Sequence, residues 1–215
     1  MKKIAYIIVV ISTLVGAMNV SAQMRWGATA AVNITDIHWN QSSLRGEPFT
    51  SDTSVGYAAG IIGEYEIPGI GFGIDIGLQY SQRGATMNLG DFPVWSSDGF
   101  DNERIYIHYL DIPFHFRFKY SNLNGFERKV APLVFAGPVM SIRLADNNLK
   151  AAGEDAFKYN NVYLGLEVGL GAEVFRNYQI TASYTWDVTG SIESEKLLRL
   201  KGNNRTWKVA CTYFF

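Results

Sequence analysis

The sequence predicts an all-β protein, an eight-stranded antiparallel up-and-down transmembrane β-barrel, and three observations carry that prediction. Eight stretches alternate residue by residue between an oily or aromatic parity and a parity of Gly, Ser, Thr and charged residues, the period of a strand rather than a helix. The connections between these stretches alternate between long and short. Aromatic side chains gather at both ends of the oily parity.

Ahead of the first strand, Lys2 and Lys3 precede an apolar run from Ile4 to Met18, and Val20-Ser21-Ala22 offers small residues before Gln23. Residues 1–22 read as a cleaved secretory signal, because the run is short for a bilayer span of about 20 residues. The barrel domain is expected over residues 23–215. Its first strand, Trp26 to Ile34, sets Trp26, Ala28, Ala30, Val32 and Ile34 against Gly27, Thr29 and Asn33. The second, Val55 to Ile67, sets Tyr57, Ala59, Ile61, Tyr65 and Ile67 against Glu64 and Glu66. In the third, Phe72 to Arg83, the face Phe72, Ile74, Ile76, Leu78 and Tyr80 opposes Gly73, Asp75, Gly77, Gln79, Ser81 and Arg83. The fourth, Leu110 to Tyr120, opposes Leu110, Ile112, Phe114, Phe116, Phe118 and Tyr120 to Asp111, Pro113, His115, Arg117 and Lys119.

The fifth strand, Pro132 to Leu144, places Val134, Ala136, Met140, Ile142 and Leu144 opposite Gly137, Ser141 and Arg143. The sixth, Leu164 to Phe175, alternates Leu164, Leu166, Val168, Leu170, Ala172 and Val174 with Gly165, Glu167, Gly169, Gly171 and Glu173. The seventh is the clearest: in Tyr178 to Thr189 every even position is apolar and every odd one is polar, Asp187 included. The eighth, Arg205 to Phe215, sets Trp207, Val209, Cys211, Tyr213 and Phe215 against Thr206, Lys208, Ala210 and Thr212. Eight is even, so both termini are expected on one side.

The stretches near 35–54, 84–104, 145–160 and 190–204 are long and polar, Pro68-Gly69 and Arg176-Asn177 are tight, and Ser121 to Lys129 is intermediate. Long loops on one side and short turns on the other are how outer-membrane barrels are built, with loops outside the cell and turns and termini in the periplasm. Strand polarity then puts Trp26, Tyr65, Phe72, Tyr120, Tyr178 and Phe215 at one rim. Tyr57, Tyr80, Tyr106, Trp186 and Trp207 fall at the other, as headgroup zones favour.

A secreted, soluble eight-stranded barrel with its oily parity inward around a ligand is the rival architecture. Glycines at 73, 77, 165, 169 and 171 on the polar parity suit a narrow, crowded interior and favour the membrane barrel, as do the aromatic ends of the oily face. Without Lys2 and Lys3, 17 basic residues face 20 acidic ones, a formal charge of −3, and no basic run tracks a nucleic-acid backbone. Cys211 is the only cysteine, which excludes an intramolecular disulfide and cysteine-based metal motifs. No cofactor or metal motif is present: Asp98, Asp101 and Glu103, with Asp52, are loop acids whose spacing matches no calcium loop.

With the polar parity inside, the lumen gathers Arg25, Arg83, Arg117, Lys119, Arg143 and Lys208 with Glu64, Glu66, Asp75, Asp111, Glu167, Glu173 and Asp187, and His115 beside them. Such charges are costly unless paired, so an interleaved ionic network filling the bore is expected. Pro113 removes one ladder donor and is expected to mark a bulge or bend. Asp111, His115 and Arg117 share a face, and His38 and His108 lie toward the loop side, so a lipid- or peptide-hydrolysing barrel and a narrow charged pore stand as alternatives to a non-enzymatic barrel. Trp39, Phe49, Phe92, Trp95 and Phe100 are loop residues that no predicted strand needs. They are candidate contacts for proteins, glycans or lipopolysaccharide outside the cell.

The final residues resemble the C-terminal signal by which barrels are handed to the outer-membrane assembly machinery: Lys208, Tyr213 and Phe215 match, while Ala210 stands where Gly is usual. Tyr109-Leu110-Asp111-Ile112-Pro113 is more specific. Together with the run from Leu78 to Ala85, Phe135-Ala136-Gly137-Pro138 and Gly169-Leu170-Gly171-Ala172-Glu173, it resembles the PorT-like family of outer-membrane β-barrel proteins, in order over essentially the whole mature chain. The resemblance implies an eight-stranded barrel in the outer membrane; membrane lipid follows as a partner from the oily wall, the assembly machinery from the C-terminal signal, and an envelope or surface protein is expected at the loops. The family's name-giving member assists protein secretion, but most members have no assigned activity, so that role does not transfer on the resemblance alone.

Overall fold

The computed structural model describes residues 23–40, 50–67, 70–91, 93–97, 99–120, 129–147, 150–151, 154–155, 157–190, 192–194 and 201–215. The expected signal at 1–22 and the Pro68-Gly69 turn lie outside them, as do Ser121 to Arg128 of the middle turn. Eight long strands carry the fold: β1 (Gln23–Asn40), β2 (Thr50–Glu66), β3 (Phe72–Asn88), β4 (Asn102–Lys119), β5 (Val130–Asp146), β6 (Val162–Val174), β7 (Tyr178–Asp187) and β8 (Lys201–Phe214). Each is antiparallel to its sequence neighbours, and β8 pairs with β1 from Gly27↔Phe214 to Asn40↔Lys201. That last ladder closes the barrel and leaves no long edge strand unpaired.

The oily parity faces outward. Phe116 is 62% exposed and Leu170 64%, whereas Glu64 and Arg117 on the opposite parity are 0% and 1% exposed. A ligand-holding soluble barrel would show the reverse, so the rival architecture falls. Phe72 and Tyr80, Tyr57 and Tyr65, Tyr178 and Trp186, and Trp207 and Phe215 stand eight residues apart on four different strands. At roughly 3.3 Å per residue and a tilt of roughly 40°, each pair spans about 20 Å of depth, close to the apolar band of a membrane barrel. Within the upper ring, Tyr184 packs 4.9 Å from Trp207, and Tyr80 lies 5.8 Å from both Tyr57 and His108.

The strands run beyond that ring, further than the sequence reading placed them. β1 continues through Thr35–Asn40, β2 starts at Thr50, β3 continues to Asn88 and β4 starts at Asn102. Here the polarity inverts. The inward positions Ile37, Ala85, Met87, Ile105 and Ile107 are at most 1% exposed, while outward His38, Asn102 and Arg104 are exposed polar residues. Once a strand leaves hydrocarbon, its outside meets water and its inside becomes an ordinary apolar core, so segments that read as polar loops are strands. Phe157–Tyr159 and Ile192–Ser194 pair with each other, and the latter with Lys201-Gly202, extending the wall at the same end. Pro93–Ser96 forms one helical turn.

At the other end, the turn rim, β1 starts and β8 ends, the Phe215 N–H donating to the Trp26 carbonyl at 3.0 Å. The β6–β7 turn holds Phe175 and Arg176 at φ of 51° and 66°. Pro113 causes no bulge: the β3–β4 ladder breaks at Gly77-Leu78 and resumes in the same register, and the Pro113 ring lies 3.1 Å from where a Gly77 side chain would begin. Proline lacks an N–H and the glycine makes room for its ring, so no residue need be inserted. The register steps instead in β5, where Arg143 and Ala145 pair with Tyr109 and His108.

Candidate functional site

The inward parity of the eight strands converges in the lumen in three ionic tiers. Nearest the turn rim, Arg117 of β4 donates to Glu64 of β2 and stands 3.3 Å from Asp75 of β3. Lys119 reaches Glu64 at 3.4 Å and Glu173 at 3.3 Å and pairs with Glu66. Arg25 of β1 joins Glu64 at 2.6 Å to Glu173 at 2.5 Å, so this tier ties β1, β2, β4 and β6 across the bore. The Phe214 ring, 2% exposed, lies 4.6 Å from the Arg25 guanidinium and covers the tier at the turn rim.

In the middle tier, Glu167 of β6 accepts from Lys208 at 2.7 Å and from the Ser183 hydroxyl at 2.6 Å, with His115 Nε2 at 3.4 Å. The His115 ring packs 4.9 Å from Phe135. A cavity of about 30 Å³ remains beside Asp75, Gln79, Gln179 and Thr181, room for a water molecule or so and not for a channel. In the upper tier, Arg83 pairs with Asp111 and with the Tyr163 hydroxyl, Ser141 donates to Asp111 at 2.6 Å, and the Asn204 backbone N–H donates to Asp187 at 2.9 Å. Tyr109 meets Tyr163 edge-on at 5.2 Å.

An apolar plug lies beyond the upper tier, and nothing in the sequence reading anticipated it. Ile37, Met87, Leu89, Phe100, Ile105, Ile107, Tyr159 and Ile192 are at most 5% exposed and form one cluster, with Trp39 packed against it. The available signal was an inward parity that turns oily past Arg83 and before Tyr109. The bore is therefore sealed twice, by paired charge along the membrane span and by hydrocarbon at the loop rim.

Of the expected lumen residues, Glu64, Asp75, Arg83, Asp111, His115, Arg117, Lys119, Glu167, Glu173, Asp187 and Lys208 meet in these tiers. Arg143 does not. It is half-buried at the loop rim, pairs with Asp146 and donates to the Asn161 side chain at 2.6 Å, because the register step beside it brings those groups within its reach. Phe100, expected as a loop contact, is 5% exposed inside the plug, and Trp39 is partly buried against it. Both cover the oily end of the bore and are spent on folding. Phe49 and Phe92 lie outside the described residues, as does the side chain of Trp95 on the helical turn. Of the assembly-signal residues, Lys208 points inward, while Tyr213 and Phe215 face outward, 46% and 75% exposed.

Among the described residues, neither His108 nor His115 is hydrogen-bonded to a serine hydroxyl. His108 Nδ1 is 2.6 Å from the Tyr80 hydroxyl on the outer wall. At His115 the carboxylate of Glu167 sits between imidazole and hydroxyl, so Ser183 donates to Glu167 rather than to a base, and all three are buried. Among the described residues no three metal-ligating side chains converge.

An oily outer wall between two aromatic rings, with ion pairs sealed inside a closed antiparallel cylinder, defines the class of small outer-membrane barrels. The chain belongs to the outer membrane protein beta-barrel domain family, whose model matches residues 19–193. Among solved structures it is similar in fold to the outer membrane protein OprG from Pseudomonas aeruginosa, at a TM-score of 0.51 and 9% identity over 90% of this chain and 96% of that one. Neisserial surface protein A aligns at 0.47 and 14% identity over 91% and 99%, and the outer membrane enzyme PagL at 0.44 and 8% over 87% and 98%. No curated protein matches the chain in sequence.

Proposed function

We propose that this outer-membrane barrel is non-enzymatic and impermeable, a rigid stake whose plugged end faces out of the cell and presents its loops to proteins, glycans or lipopolysaccharide. Both termini and the short turns then lie in the periplasm. The carrying observation is the double seal. A lumen with buried Arg117 and Glu64 at one level and buried Met87 and Ile107 at another offers a solute no continuous path, and the surfaces left for contact are the wall and the two rims. Among the described residues the His108 imidazole meets a tyrosine hydroxyl and the Ser183 hydroxyl is held by Glu167, surroundings that favour binding over hydrolysis. A narrower role, accessory to envelope or secretion machinery, is part of the proposal and rests on in-cell capture of a partner rather than on the PorT-like resemblance. The purified barrel should give no ion steps in a planar bilayer. A protease site placed within 41–49 should be cut on intact cells and one within 121–128 should not. Steady conductance, or cleavage in the opposite pattern, would refute the reading. In-cell cross-linking from the loop rim should capture an envelope or surface partner if the accessory role holds.

A further inference from the structure

The outer wall has a notch over β4, β5 and β6. Across one row of register partners the outward residues are Ile74, Phe116, Ala136, Val168 and Tyr184, and Ala136 is the smallest by far. Beneath it the wall is thin. Phe135 and Gly169 are register partners on the inward parity, and a Cβ on Gly169 would lie 2.3 Å from the Phe135 ring, so the ring lies over the bare glycine. The result is a cleft of about 380 Å³ on the hydrocarbon face, walled by Phe72, Phe116 and Phe118 on one side and by Val134 and Val168 on the other. It runs along β5 from Val134 up to Ala136, and five residues of chain separate Val134 from Lys129 at the turn rim.

The turn rim below the cleft is cationic. Lys129 ends the β4–β5 turn and Arg176 sits in the β6–β7 turn, both exposed, and the turns touch through the Phe175 N–H donating to the Lys129 carbonyl at 2.9 Å. Neither side chain makes an ion pair among the described residues. The positive φ of Phe175 and Arg176 is unfavourable for side chains of this kind, yet the turn keeps them, with Phe175 66% exposed beside the charge. From Lys129 to Ala136 is seven residues, about 23 Å along the strand and about 18 Å of depth at a tilt of roughly 40°, against roughly 15 Å for the hydrocarbon of one leaflet.

We propose that this cleft is a binding site for one phospholipid of the periplasmic leaflet, an acyl chain lying in the notch over Gly169 and Phe135 and its phosphate held by Lys129 and Arg176. An apolar slot in the wall, with two exposed cations at the turn rim one leaflet's depth below Ala136, complements that molecule in shape and in charge. The assignment to the periplasmic leaflet rests on the orientation proposed above.

The test follows phospholipid through detergent exchange by native mass spectrometry, using the full-length mature barrel and added phosphatidylglycerol. The wild type should retain one molecule per barrel. Ala136→Phe should lose it, and Lys129→Glu with Arg176→Glu should weaken retention by about fivefold or more. Val32→Phe, on the far side of the wall, should change nothing. Heat-modifiable gel mobility reports that each variant is a folded barrel. Equal retention by wild type and Ala136→Phe overturns the site. Retention of lipopolysaccharide in place of phospholipid, lost in Ala136→Phe, overturns the lipid assignment, and the protease-site experiment tells independently whether the orientation fails with it.

Discussion

Glu64 shows how much a single carboxylate can hold together. It is fully buried and takes Arg25, Arg117 and Lys119 at once, and no other described acid gathers three cations. Replacing it by Gln leaves Arg117 and Lys119 without their shared partner in a dry bore. That change should destabilise the barrel by about 3–5 kcal/mol, read from urea unfolding in lipid vesicles. Replacing Arg117 and Glu64 together by well-packed apolar residues, in an Asp75→Asn background that leaves no carboxylate stripped of its cation, should cost far less, because the penalty lies in the orphaned charge and not in the absence of the pair. A double-mutant cycle separates the two. At the wall the rule is depth. Ile76→Arg, near mid-span, should cost about 2–4 kcal/mol, while Phe175→Arg at the rim should cost about 0–1 kcal/mol.

Among the elements, the strand ends beyond the upper aromatic ring behave as a separate structural zone. Met87, Ile105 and Ile107 pack as in a soluble protein, each inward side chain contributing on the order of 1.5–3 kcal/mol by leaving water. Ile107→Asp should open the plug and make the loop rim sensitive to protease. The heat-modifiable mobility of the barrel should survive, since the ionic tiers lie below the change. Loss of both together would mean that plug and barrel fold as one unit. The β6–β7 turn makes the opposite case. Phe175-Arg176→Asn-Gly relieves two positive-φ side chains and should stabilise the hairpin by about 1 kcal/mol or more in the same unfolding assay.

For the whole molecule, closure decides the behaviour. Every long strand has two neighbours, so the wall can sit in hydrocarbon, and every buried charge of the lower tier is tied to a different strand, so the bore resists opening. A lipid-soluble carbene placed in the bilayer should therefore label Ile74, Phe116 and Leu166 and spare Arg117 and Glu167. The same pattern reversed would sink the assignment of faces.

Much of this was legible in residue order. Strict alternation in Tyr178 to Asp187 and in Phe72 to Arg83 determined strands, the parity of Glu64, Asp75, Arg117 and Glu167 determined which groups share a face, and the spacing of aromatics determined a membrane-sized band. Those are local properties, since period two is built into the backbone. What tertiary structure alone decided is which way that face looks and where it ends. Thr86-Met87-Asn88-Leu89 alternates as cleanly as any strand here, but with the oily side inward, and only the surrounding medium, lipid below the ring and water above it, explains the exchange. Pairing was equally hidden: that Arg143 turns to Asp146 and Asn161 while Arg83 keeps Asp111 follows from a one-residue step in β5, set by contacts between strands and invisible along either one.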